Sequence, residues 1–202
     1  MHRKSLVRQT LFLLFIIMGT NIAAQNPVPK APDLDGKAWI LIDATTGFVI
    51  AENNADEPLP PASLAKMMTT YIAVKQIKQG TLRDYDEVLV SDNAWEKGGA
   101  KTDGSTMFLS PRTTVPVIDL MRGIIIQSGN DAAIALAEHI SGSEDAFSNL
   151  MNDNAADLGM DNTFYYNSTG LPIEGMLSSA RDQVRLVRAI IELDPEYYAL
   201  YS

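Results

Sequence analysis

The sequence predicts an α+β fold, a short antiparallel sheet leading into a helical body. Three observations carry that prediction. Residues 39–43 (WILID) and 48–52 (FVIAE) are two β-type runs, joined by a connection that ends in Gly47, as a tight hairpin requires. From residue 62 onward, apolar residues recur at helical spacing, interrupted by Ser, Gly, Asn and Pro signals. The 202 residues are 46% hydrophobic, enough for one sizeable core, and contain no internal repeat or low-complexity tract.

The first segment lies outside that fold. His2, Arg3, Lys4 and Arg8 make a basic start, residues 11–18 (LFLLFIIM) an apolar run, and Ala23 and Ala24 a small-residue cleavage point. Residues 1–24 therefore read as a signal peptide, and the run is shorter than the roughly 20 residues of a spanning helix. Residues 25–36, polar and Pro-bearing, open an exported mature chain. Loss of Arg3, Lys4 and Arg8 takes the formal charge from −9 to about −12. So acidic a chain has no electrostatic case for nucleic acid.

After the hairpin, a loop runs to Pro60-Pro61 and a helix starts near Ala62 or Ser63. Leu64, Met67, Met68, Tyr71 and Ile72 fall on one stripe, and Gly80 stops the helix. Residues 88–90 are expected to form a short strand, and residues 92–105, bearing Gly and Lys, a surface loop. Residues 117–126 read as a buried helix that breaks at Gln127-Ser128-Gly129-Asn130. A second helix, residues 131–140, ends at Ser141-Gly142. Ser143 is the expected N-cap of a third, with Phe147, Leu150, Met151 and Leu158 on its apolar face. Ser179 and Asp182 resemble a capping box ahead of Val184, Leu186, Val187, Ile190 and Ile191, and Asp194-Pro195 ends that helix.

The absent residue types narrow the chemistry. Without cysteine there is no disulfide, thiol nucleophile or thiolate metal site. His139 is the one histidine of the mature chain and sits near the end of an expected helix, where it reads as a surface or capping residue. A Ser-His-Asp triad or a zinc site is not expected, and neither is any metal or cofactor.

Ser63 and Lys66 offer another route. At a helix start, positions i and i+3 share a face, so the Lys66 amine can reach the Ser63 hydroxyl. Burial favours the neutral amine, which can act as a general base, and helix-end N–H groups can stabilise an oxyanion. S-x-x-K alone recurs about once by chance in a chain of this length. It gains weight from the preceding Pro60-Pro61-Ala62 and from its place at the opening of an amphipathic helix. Ser128-Gly129-Asn130 is much rarer by chance and lies in a tight loop between two apolar helices. Ser128 can relay a proton to a leaving amine. Asn130 can bind a substrate carbonyl and hydrogen-bond Lys66, or it can simply cap a helix.

S-x-x-K followed by S-x-N resembles the penicillin-recognising serine enzymes. More closely, PPASLAKMMTTYIA, GGAKTDGSTMFL, IIQSGNDAAIALAEHISGS and the SSARD helix resemble low-molecular-mass D-alanyl-D-alanine carboxypeptidases. The resemblance runs from about residue 37 to residue 202. It implies a β-lactamase/transpeptidase-like fold, an antiparallel sheet with a helical subdomain. It also implies Ser63 as nucleophile, Lys66 as base, Ser128 as proton relay and Asn130 as a substrate-binding residue. The implied partners are a peptidoglycan pentapeptide ending in D-Ala-D-Ala and β-lactam antibiotics, met in the periplasm or on the outer face of the cytoplasmic membrane.

The family's K-T-G motif does not follow the S-x-N loop; Lys101-Thr102-Asp103-Gly104 precedes it. Residues 37–202 are therefore expected to be a partial, C-terminally truncated catalytic domain. Membrane association is expected only through a C-terminal segment not present here. Two alternatives remain open: an inactive or non-catalytic peptidoglycan-binding fragment, and a serine β-lactamase using Glu144 as deacylating base.

Overall fold

Gly47 sits at φ 75°, the left-handed conformation its place in the hairpin connection requires. The Asp43 carboxylate braces the same turn, accepting from the Thr46 N–H and hydroxyl at 2.7 Å each. The flanking strands are β1 (Trp39–Ile42) and β2 (Val49–Asn53), paired antiparallel with a bulge between Leu41 and Ile42. The computed structural model describes residues 31–99 and 101–202, so the signal-peptide reading of residues 1–24 lies outside the described residues. Residues 35–202 form one compact unit that holds every helix and strand described below.

Helix α1 (Ala65–Gln79) is entered through a 3₁₀ turn, Ala62–Leu64, and closed by Gly80 in the left-handed conformation. Its sequence suggests one apolar stripe. Instead Ala65, Lys66, Met68, Thr69, Thr70, Tyr71, Ile72, Ala73 and Val74 are all buried, while Leu64 is half exposed. Helices on several sides enclose α1, so its polar face is also interior, and its Thr and Lys side chains satisfy themselves on nearby carbonyls.

Strand β3 (Glu87–Leu89) falls where a strand is expected, and it pairs antiparallel with β4 (Thr114–Pro116), which no sequence pattern announces. The expected loop over residues 92–105 is half wrong. Helix α2 (Asp92–Gly98) occupies its first part, N-capped by the Ser91 hydroxyl accepting from the Ala94 N–H. The missed signal is Ser91 with Asp92 in the first turn. Glu138 then fixes the cap by accepting from Ser91 and Asn93.

The remaining helices follow the sequence closely. They are α3 (Val117–Gln127), α4 (Asn130–Ser141), α5 (Glu144–Asp157) and α6 (Ala180–Leu193). Ser143 and Ser179 each cap as expected, accepting from Ala146 and Asp182. The return bond of a capping box is not made at Ser179, because the Asp182 carboxylate accepts from Asn162 and Thr163 instead. Asp194 ends α6 and caps one further turn, α7 (Pro195–Tyr198).

Two apolar clusters meet along α1 and α4. One gathers Val88, Val90, Leu120, Met121, Ile134 and Leu136; the other Met68, Ile72, Phe147, Met151, Tyr165 and Leu186. Burial of each large side chain contributes roughly 1.5–3 kcal/mol, which makes this double core the rigid support for whatever α1 and α3 present. The hairpin docks beside α6, where Arg181 pairs with Glu52 and Asp56 and Arg188 donates to the Ala44 carbonyl. Leu41, Phe48 and Ile50 remain more than half exposed. Among the described residues, no helix is long and apolar enough to cross a membrane.

Candidate active site

Ser63 sits in the middle of the 3₁₀ turn that leads into α1, just after Ala62 at φ 47°. The preceding residue is thus held in a conformation costly for any side chain, which turns Ser63 out to solvent at the mouth of a cleft. The Leu64 and Ala65 N–H groups close the turn on the Pro61, Ala62 and Ser63 carbonyls. These two helix-end donors are therefore taken up within the turn.

One turn further on, Lys66 is only 4% exposed. Its Nζ donates to the Thr169 carbonyl at 2.6 Å and lies 3.4 Å from Ser63 Oγ. Burial, which disfavours the ammonium form, brings its pKa down to about 8. The amine is thus close to the protonation state a general base needs, beside the hydroxyl it would deprotonate.

Ser128 arrives from the opposite wall. It ends α3 with φ 57°, and its Oγ is buried with no hydrogen-bond partner among the described residues. Buried hydroxyls normally find partners, so an orphaned one facing a cleft is available to a substrate. Ser63, Lys66 and Ser128 line one cleft of about 110 Å³ with Met67, Thr70, Ile124, Ile125 and Tyr201.

Asn130 is close to this group but does not join it as expected. It is buried as the first residue of α4, its N–H donating to the Ser105 carbonyl. Its amide faces Gly104, where an added Cβ would come within 2.5 Å of Nδ2. No hydrogen bond joins it to Lys66, whose amine is held by Thr169 instead. Lys101 is also placed away from the cleft, its ammonium 4.1 Å above the Trp95 ring.

Glu144 lies in the first turn of α5, and its carboxylate accepts from the Ser168 N–H and hydroxyl. It does not line the cleft. His139 is exposed in the last turn of α4, also away from the cleft. Among the described residues, no group of three or more His, Asp or Glu is placed to hold a metal ion.

Two contributors escape sequence reasoning. Tyr201 reaches the cleft from the C-terminal turn, its hydroxyl 2.5 Å from Thr70 Oγ1. Thr169 meets Lys66 across 103 residues of sequence. Asn167 and Gly170 signal a turn at that point, but no local pattern says what the turn touches.

The D-alanyl-D-alanine carboxypeptidase model of the S11 peptidases matches residues 24–202. The chain is 46% identical over 190 residues to the D-alanyl-D-alanine carboxypeptidase DacC of Escherichia coli K12, covering 94% of this chain and 47% of that one. The crystal structure of the carboxypeptidase DacD from Francisella tularensis superposes with a TM-score of 0.81 at 41% identity, over 86% of this chain and 41% of that one. Penicillin-binding protein D2 of Listeria monocytogenes, solved in its ampicillin-bound form, gives 0.71 at 26% identity, over 83% and 66%. The chain spans about half the length of the curated relatives it matches. Its α+β architecture is part of the penicillin-binding-protein fold, and the chain belongs to the S11 family of D-alanyl-D-alanine carboxypeptidases.

Proposed function

We propose that residues 37–202 are the acylating part of a serine D-alanyl-D-alanine carboxypeptidase, with residues 1–24 as a signal peptide and residues 25–36 as the start of the mature chain. The enzyme would act outside the cytoplasm, in the periplasm or on the outer face of the cytoplasmic membrane, trimming peptidoglycan stem peptides. The observation that carries this reading is the cleft in which Ser63 stands beside a buried Lys66 and faces the unpartnered hydroxyl of Ser128.

The neutral Lys66 amine takes the Ser63 proton as Oγ attacks the carbonyl carbon of the penultimate D-alanine. The C–N bond to the terminal D-alanine breaks, and the proton taken up by Lys66 passes through the Ser128 hydroxyl to the departing amine, which leaves Lys66 neutral again. Water then cleaves the ester on Ser63 and restores the serine. A β-lactam would acylate the same oxygen by opening its strained amide. Asn130 would take part as a substrate-binding residue once a ligand draws its amide towards the cleft. The β-lactamase reading is weaker, because the carboxylate of Glu144 is occupied by Ser168.

Intact-mass spectrometry after incubation with benzylpenicillin tests the proposal. The expected result is a covalent adduct mapped to Ser63. A folded chain that forms no adduct, or an adduct on another residue, would reject acyl transfer by this cleft.

A further inference from the structure

Three consecutive residues of one turn touch Thr69, Lys66 and Ala62 on the segment that carries Ser63. The Ser168 carbonyl accepts from Thr69 Oγ1 at 2.8 Å, and the Thr169 carbonyl accepts from Lys66 Nζ at 2.6 Å. Gly170, at φ 84°, lies so close to the Ala62 carbonyl that no side chain fits between them. The turn therefore runs down α1 and its 3₁₀ lead-in like a splint, past the base and on to the residue before the nucleophile.

The shape of this splint comes from one side chain. Asn167 Oδ1 accepts from the Thr169 N–H at 3.1 Å, the Thr169 hydroxyl at 3.0 Å and the Gly170 N–H at 2.7 Å. Its Nδ2 donates to the Leu171 carbonyl at 2.9 Å. Asn167 is 8% exposed, and all four bonds are internal to the turn. A side chain that satisfies a turn's backbone from within fixes the direction of its remaining carbonyls. One of these is the Thr169 carbonyl that holds Lys66.

We propose that Asn167 is a positioning residue for acyl transfer: its carboxamide sets the turn whose Thr169 carbonyl holds the Lys66 amine against Ser63. The inference rests on reading Ser63 and Lys66 as the reacting pair. A lysine stem has four rotatable bonds, and a neutral amine is useful only if its lone pair points at the proton it takes. Donation of one N–H to a fixed carbonyl removes that freedom. The amine is also buried, Lys66 being only 4% exposed. Among the described residues, the Tyr201 hydroxyl is linked to this region through Thr70, and Glu144 lies on the far side of Ser168. Among the described residues, no carboxylate bonds Lys66.

The test follows the Lys66 amine directly, by NMR titration of the chain carrying ¹³C-labelled lysine, with the signal assigned by its loss in Lys66→Ala. In the unsubstituted chain Lys66 should titrate near 8. Asn167→Ala should open the turn, hydrate the amine and raise its midpoint by about one unit or more. Asn152→Ala is the control for a merely structural role. Asn152 anchors the same loop by two bonds to the Tyr165 backbone, at 2.7 and 2.8 Å, outside the hydrogen bonds that Asn167 makes within the turn. It should leave the Lys66 midpoint in place. If Asn167→Ala does not fold, Asn167→Ser provides the same test, with a smaller rise, because a serine hydroxyl reaches fewer of the donors. An unmoved midpoint in the Asn167 variants, or an equal move in Asn152→Ala, overturns the proposal. Because the titration needs no turnover, an unsubstituted chain that fails to react with benzylpenicillin would count against the acyl-transfer reading alone.

Discussion

Lys66 Nζ and Ser63 Oγ stand 3.4 Å apart across the junction where a 3₁₀ turn becomes an α-helix. The separation is long for a hydrogen bond, while the bond from the same amine to the Thr169 carbonyl is short. The resting amine is thus held by the carbonyl and needs only a small swing to take the serine proton as the hydroxyl attacks.

Ser63→Ala should abolish covalent labelling by benzylpenicillin, because it removes the hydroxyl that the Lys66 amine contacts. Intact mass reads the result. An adduct that survives in the variant would move the nucleophile elsewhere.

The acylation rate should climb as pH rises through about 8, the value to which burial brings Lys66. At pH 7 roughly a tenth of such amines are neutral. Stability should respond in the same direction. The folded value lies below that of a free lysine, so between about 8 and about 10.4 the unfolded chain holds more protons, and stability rises with pH across that window. Lys66→Ala should slow acylation by about 10²–10⁴-fold and flatten this dependence. A pH profile that keeps its midpoint in Lys66→Ala would assign the titration to another group.

Asp131 offers a test of the scaffold. Its carboxylate is fully buried and accepts from the Thr106 hydroxyl and from the N–H groups of Met107, Leu109 and Ala132. Asp131→Ala strands these donors, at a cost of about 1–3 kcal/mol for each one that water cannot reach. Denaturant unfolding should show a loss of more than about 2 kcal/mol. A smaller loss would mean that the 106–109 loop finds other partners.

Leu41 and Ile50 are exposed on the hairpin, so Leu41→Thr with Ile50→Thr should change stability by no more than about 0.5 kcal/mol. The double variant should also scatter less light in concentrated solution, since apolar side chains at an open sheet edge favour association. A large loss of stability would show that these side chains are covered.

The sequence is most legible where local chemistry decides the structure. Gly47, Gly80, Ser143, Ser179 and Asp194 each mark a boundary that the backbone obeys. Helical spacing pairs Ser63 with Lys66, and the resemblance to a known motif set is what brings Ser128 to the same cleft. What escapes depends on distant packing. Strand β4 exists only because residues 87–89 offer it an edge. The polar face of α1 looks solvent-directed until neighbouring helices enclose it, which buries Thr69 and Thr70 along with Lys66. Asn130 reads as a partner of Lys66, yet Gly104 and Thr169, both remote in sequence, decide where each side chain goes.

The left-handed backbone at Ser128 sets stability against chemistry at a single position. A non-glycine residue held there costs roughly 1–2 kcal/mol, and glycine would relieve most of that strain. The same replacement removes the hydroxyl that faces the cleft. A library at position 128 sorted only for heat resistance should therefore drift to glycine, and one sorted for penicillin labelling should return to serine. The distance between the two outcomes measures how much robustness the fold gives up to keep that hydroxyl in place.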